Sequence, residues 1–153
     1  MTGRRPGTCR ATAAIELPAG VPETWAAVVD WDGQTRWMLL TTVRATERDG
    51  AGTGCRVSAR TAVGPVGFTD DMVITQWRPP HLCRVRHLGK VVRGEGVFEV
   101  AEAGPGRSRF TWTEEVVPPF GRLGRAAWPL AGPALEVLMR VSLRRLARAM
   151  AAA

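Results

Sequence analysis

Apolar and polar positions change their spacing twice along the chain, and those changes mark out the elements. Residues 9–17 alternate and stop at Pro18, which predicts a first strand. Pro22 suits a first helical turn, and Trp25, Val28 and Val29 then share one face, so a short helix follows. Residues 30–39 hold Trp31 and Trp37 around Gly33 and predict a second short helix or helical turn. From residue 41 the spacing becomes two. Strands are expected at 41–47, 53–63, 67–77, 82–88, 91–102 and 109–117, separated by short turns rich in Gly and Pro. Connections this short imply an antiparallel meander.

The spacing changes again at the C-terminal end. Over 132–150, Leu135, Leu138, Met139, Leu146 and Met150 recur at helical intervals, with Ser142 in the same stripe. Arg140, Arg144, Arg145 and Arg148 take the opposite face, and Pro133 sits near the expected start. About 18 residues at ~1.5 Å each give a helix of roughly 27 Å. Such a helix needs cover for its apolar side. The pattern therefore predicts an α+β domain, in which a curved antiparallel sheet of about seven strands wraps a long C-terminal helix. Residues 122–132 read as helix-like but broken by Gly124, Pro129 and Gly132, a mobile or kinked entry to the long helix, and residues 120–128 read as a lid or as an ordinary connection to it.

Composition narrows this only a little. With 153 residues one domain is expected, over 8–150, after a disordered lead at 1–7. No uninterrupted apolar run is long enough to span a bilayer, and the first residues lack the apolar core of a signal peptide, so a cytoplasmic protein is expected. The net charge is +7, and Lys90 is the only lysine. The Arg excess reads as a solvated basic surface, or as weak attraction to an anionic membrane. Between residues 120 and 153, Arg122, Arg125, Arg140, Arg144, Arg145 and Arg148 face only Glu136. Cys9, Cys55 and Cys83 are scattered through apolar-patterned stretches and read as small buried residues in a reducing compartment. With no C-x-x-C and only His81 and His87, neither metal nor cofactor is expected.

Four segments carry a resemblance. They are W-R-P-P-H-L-C-R-V-R-H at 77–87, V-R-G-E-G-V-F-E-V at 92–100, S-R-F-T-W-T-E-E-V at 108–116 and S-L-R-R-L-A-R at 142–148. With the element order, they resemble the helix-grip fold of the START and birch-pollen-allergen (SRPBCC) superfamily, in its polyketide cyclase/dehydrase-like branch. The resemblance covers roughly residues 8–150. It implies a cavity between sheet and helix, not a particular reaction.

The chemistry in the chain is sparse. There is no G-x-S-x-G elbow, phosphate-cradling glycine loop or H-E-x-x-H. Gly94-Glu95-Gly96 suggests a bulge or bend within a strand. Asp70 and Asp71 are adjacent in a strand, so only one of them faces inward; Asp71 joins His87 and Glu114 as an acid–base candidate. The parity of Cys83 and Val85 turns His87 inward, and that of Phe110 and Trp112 does the same for Glu114. An apolar setting would raise a carboxylate pKa and lower that of histidine. The alternative is a set of satisfied polar groups in an apolar core. Strand parity and helical phase, together with the cavity that the resemblance implies, give Phe68, Met72, His87, Phe98, Phe110, Trp112, Trp128, Leu135 and Met139 as candidate ligand-binding residues.

Two functions fit. One is binding or transport of a small hydrophobic or aromatic molecule, lipid-like or polyketide-like. The other is an aromatase/cyclase or dehydratase working in the same cavity. Nucleic-acid binding is set aside, since neither an RNP-like nor a helix-turn-helix pattern is present. The oligomeric state has no signature in the chain.

Overall fold

A computed structural model describes residues 5–152. Strand β1 (Cys9–Leu17) leads into helix α1 (Val21–Val28) and a 3-10 turn at Asp32–Arg36. Six strands follow: β2 (Thr41–Ala45), β3 (Arg56–Val63), β4 (Val66–Arg78), β5 (Leu82–His87), β6 (Gly94–Glu102) and β7 (Ser108–Val116). Helix α2 (Arg122–Ala151) ends the fold. The seven strands form one antiparallel sheet in the order β1-β7-β6-β5-β4-β3-β2. The architecture is the helix-grip that the resemblance implies, with the α+β sheet and long C-terminal helix expected from the pattern. Residues 1–4 of the expected lead lie outside the described residues. The chain turns at its described start, where the Thr8 N–H donates to the Arg5 carbonyl (3.2 Å).

The sheet faces follow the alternation. Cys83, Val85 and His87 of β5 turn inward, as do Phe98 and Val100 of β6 and Phe110 and Trp112 of β7. The ladder slips between Ile74 and Gln76 of β4. It stays in register through Gly94 and Gly96 on both sides, so no bulge lies there. A close approach, described below, accounts for Gly96 instead.

The main departure from expectation is α2. It runs unbroken for 30 residues, ~45 Å, and takes in Gly124, Pro129, Gly132 and Pro133. Each proline removes one hydrogen bond, to the carbonyl four residues back, at a cost near ~3 kcal/mol. Those carbonyls belong to Arg125 and Pro129, which are exposed, so water can take the place of the missing donors. The apolar inner face of the helix supplies the compensating burial. Gly124 permits the first turn to press on the preceding loop: a Cβ there would overlap the Pro119 carbonyl oxygen.

Polar bonds fix the helices to the sheet. Thr24 Oγ1 and Ser108 Oγ share a hydrogen (2.7 Å) between α1 and β7. Ser142 Oγ of α2 accepts from the Leu39 N–H (2.9 Å) and donates to the Leu138 carbonyl (2.9 Å). Glu136 Oε1 accepts from the Thr12 N–H (3.2 Å), which covers part of the outer edge of β1. The C-terminal half of α2 buries Met139, Leu143 and Leu146 in the core. The N-terminal half does something else.

Candidate functional site

Between the concave face of the sheet and the first half of α2 lies a cavity of about 530 Å³. Gly124, Ala127, Trp128, Ala131, Leu135 and Leu138 form its helical wall. Their spacing of three and four is one helix face. The Trp128 indole folds back on Gly132, where a Cβ would come within 2.8 Å of Nε1. Val91, Val117 and Phe120 line the cavity and are also exposed, Phe120 at 86%, so they mark its mouth.

The structure places Phe68, Met72, His87, Phe98, Trp112, Trp128 and Leu135 on the cavity wall. Phe110 and Met139 are not on it. Phe110 is paired with Val100 and Ile15, toward the far end of the sheet. It packs edge-on against Phe98 (5.1 Å) and Trp37 (6.4 Å), supporting the cavity floor from below. Met139 lies beyond the last lining residue of α2 and is fully buried.

One polar constellation interrupts the apolar wall. His87 Nδ1 lies 2.7 Å from Asp70 Oδ2, and Nε2 lies 2.9 Å from Glu114 Oε2. Trp112 Nε1 donates to Glu114 Oε1 (2.8 Å). His87 and Glu114 sit on β5 and β7, with β6 between them. They meet because Gly96, paired with Glu114, has no side chain. A Cβ on it would stand 3.1 Å from Glu114 Oε1 and 3.2 Å from Val85 Cγ2.

Asp71 is not part of this group. It is exposed, and Asp70 takes the inward place. The parity of Phe68 and Met72 already points to Asp70: positions 68, 70, 72 and 74 share one face. The expectation of a lowered histidine pKa also fails. Burial does pull it down. The hydrogen bonds to Asp70 and Glu114, and the charges of both carboxylates, outweigh that and push it up to about 10. The ring is therefore an imidazolium at neutral pH, with both N–H groups donated. Burial pushes the Cys83 thiol, also on the wall, up to about 12.

The constellation is poorly suited to a metal, because both ring nitrogens are engaged. Among the described residues no group of three or more His, Cys, Asp or Glu side chains has metal-holding geometry. Sequence reasoning missed Trp31, Gln34 and Met38, which reach the cavity from the 3-10 turn and the residues beside it. Their irregular backbone gives no parity to read.

The sequence matches a family described as polyketide cyclase/dehydrase and lipid transport over residues 8–151. No curated protein matches it. Among solved structures, the Zhui aromatase/cyclase from Streptomyces sp. R1128 is similar, with a TM-score of 0.73 and 16% identity over 92% of each chain. A Thermus thermophilus protein reaches 0.69 at 16% identity, covering 92% of this chain and 99% of that one. The di-domain aromatase/cyclase BexL of the BE-7585A biosynthetic pathway reaches 0.63 at 16% identity, over 92% of this chain and 45% of that one. At such identities the likeness is one of fold.

Proposed function

This chain belongs to the polyketide cyclase/dehydrase and lipid transport family, and on that premise we propose that it binds a small hydrophobic or aromatic molecule between the sheet and α2. The observation that carries this is the cavity of about 530 Å³, walled by apolar and aromatic side chains. Each ~100 Å² of apolar ligand surface buried there contributes about 2.5 kcal/mol before association costs. Trp31, Trp112 and Trp128 on the wall supply flat faces for an aromatic ligand. The exposed apolar mouth at Val91, Val117 and Phe120 supports uptake through that end, and the neighbouring Lys90, Arg93, Arg122 and Arg125 would suit release beside an anionic surface. Transport is the reading favoured over turnover, because His87 is fully engaged by two carboxylates.

The test is native mass spectrometry on protein purified from its own host. One small molecule per chain, lost on Leu135→Trp, is expected. A bare chain mass, together with no saturable binding of naphthalene-sized probes by tryptophan fluorescence, would overturn the binding reading.

A second reading rests on the same His87. An imidazolium held beside a carboxylate inside an apolar cavity can give a proton to a carbonyl oxygen while Glu114 takes one from the adjacent carbon, and the proton on Glu114 then passes back to His87 Nε2, 2.9 Å away. Catalysis predicts chemical change of the bound molecule on incubation, abolished in His87→Ala with affinity largely kept. Turnover unchanged in that variant removes His87 from the chemistry.

A further inference from the structure

The chain holds 21 Lys and Arg residues and a net charge of +7. Among the described residues no Lys or Arg side chain lines the cavity. Its ionisable wall groups are Asp70, His87 and Glu114, with the neutral Cys83 thiol. Two acidic side chains flank the one histidine, and among the described residues no Lys or Arg on the wall stands by to offset them. The N–H donors beside Glu114 are already committed, His87 to Asp70 and Glu114 and Trp112 to Glu114. Farther along the wall Trp31 donates to the Gly50 carbonyl and Gln34 to the Val28 carbonyl, while the Trp128 indole N–H, on the helical side, has no such partner. Thr41 and Thr61, also on the wall, share a hydrogen with each other (3.0 Å).

Acceptor capacity is what remains. A carboxylate has about four lone-pair sites. Glu114 uses one on each oxygen, for His87 and Trp112. Its side chain is also the most accessible of the three, 14% exposed against 10% for Asp70 and 4% for His87. Asp70 Oδ1 has no partner but is enclosed by the protein, out of reach of a ligand.

We propose that the cavity selects a hydrophobic ligand bearing a hydroxyl or amine donor, rejects one ending in a carboxylate, and uses Glu114 as the selecting acceptor. This rests on the binding reading above. An anion placed beside Glu114 would give up its water and meet two acidic side chains whose neighbouring donors are already taken. A hydroxyl would instead find a lone pair of Glu114. The basic exterior thus does not foretell the ligand: it attracts anions to the surface that the interior refuses.

The experiment compares three probes of one shape at pH 7 by tryptophan fluorescence titration: 2-naphthylmethanol, 2-methylnaphthalene and 2-naphthoate. The alcohol is expected to bind at least tenfold more tightly than the carboxylate and severalfold more tightly than the hydrocarbon. In Glu114→Gln the gap between alcohol and carboxylate should narrow to about threefold or less. Carboxylate binding as tight as that of the alcohol overturns the proposal while leaving the binding reading intact. No binding of any probe to folded protein overturns both. Should Glu114→Gln fail to fold, the wild-type ranking decides by itself.

Discussion

Glu114 reaches His87 across the strand that lies between them, Oε2 to Nε2 at 2.9 Å, over the bare backbone of Gly96. Strands two apart in a sheet are separated by nearly ~10 Å, so only long side chains above a residue with none of its own can make such a bond. The charge state of the ring and the packing of the wall both depend on it.

Protonation of His87 should be visible in stability. Its pKa is raised from 6.5 to about 10 on folding. Below pH 6.5 the ring is charged in both folded and unfolded chains, and its contribution to stability is fully present. As pH rises toward 10 the unfolded chain loses the proton and the folded one keeps it. Stability should therefore fall across that window, by at most about 1.4 kcal/mol per pH unit from this group. Urea unfolding from about pH 6 to about pH 10 measures the slope. Ring-proton NMR should show the His87 imidazolium unchanged at pH 8; a midpoint near 6.5 would refute the assignment.

Gly96→Ala places a methyl group against the Glu114 carboxylate and Val85. Overpacking of this kind costs roughly 1–3 kcal/mol. Thermal denaturation should show a lower Tm, and the His87 ring protons should shift as Glu114 is displaced. A variant with wild-type Tm and spectrum would mean that the carboxylate can move aside freely.

Gly124→Ala sets two effects against each other. Alanine favours a helix by about 1 kcal/mol over glycine. Its Cβ would also overlap the Pro119 carbonyl oxygen, a backbone atom that cannot swing away. The overlap should win, giving net destabilisation and loosening of the first turn of α2. Circular dichroism melts decide the sign; a rise in Tm would show that the loop yields.

The cysteines should be inert in the folded protein. Cys9, Cys55 and Cys83 are all buried, and the Cys83 thiol is pushed up to about 12. The thiolate is the reactive form. At pH 8 iodoacetamide should label none within an hour and all three in urea, read by intact mass. Rapid labelling of Cys83 in the native protein would show that the cavity is open to both reagent and solvent.

Ligand should slow amide exchange at residues 120–128. This segment carries the exposed Phe120 and Leu123 and ends at Trp128 on the cavity wall, so a bound molecule would pin its inner face. Exchange by mass spectrometry before and after ligand addition measures it. Equal rates would make the segment a fixed wall and not a lid.

Much of the fold is legible in the chain. Period-two alternation places β1 at 9–17 and β5 near 82–87, because in a sheet with one buried face each side chain must choose a side. The same parity turns His87 inward. Three things are not legible in this way. The prolines of α2 read as breaks, since local propensity cannot see the packing on the opposite face that outweighs them. Asp71 stands as the candidate in place of Asp70 unless the faces of Phe68 and Met72 are used to settle the choice. The meeting of His87 with Glu114 depends on strand order: β5 and β7 flank β6, and only topology makes Gly96 a gap between two partners and not a kink.

The pairing of β1 with β7 also governs how the chain comes together. Strands β2 to β7 each bond to a neighbour in sequence, whereas Leu17 pairs with Ser108 across the whole meander. Closing a flexible loop of about 90 residues costs about 4 kcal/mol of entropy by (3/2)RT ln n, so the meander is expected to form before β1 docks. Pulse-labelled exchange during refolding would then protect amides of β3–β5 ahead of those of β1. During synthesis the strand made first waits, unpaired, until β7 has left the ribosome, and the apolar floor stays uncovered until α2 follows it.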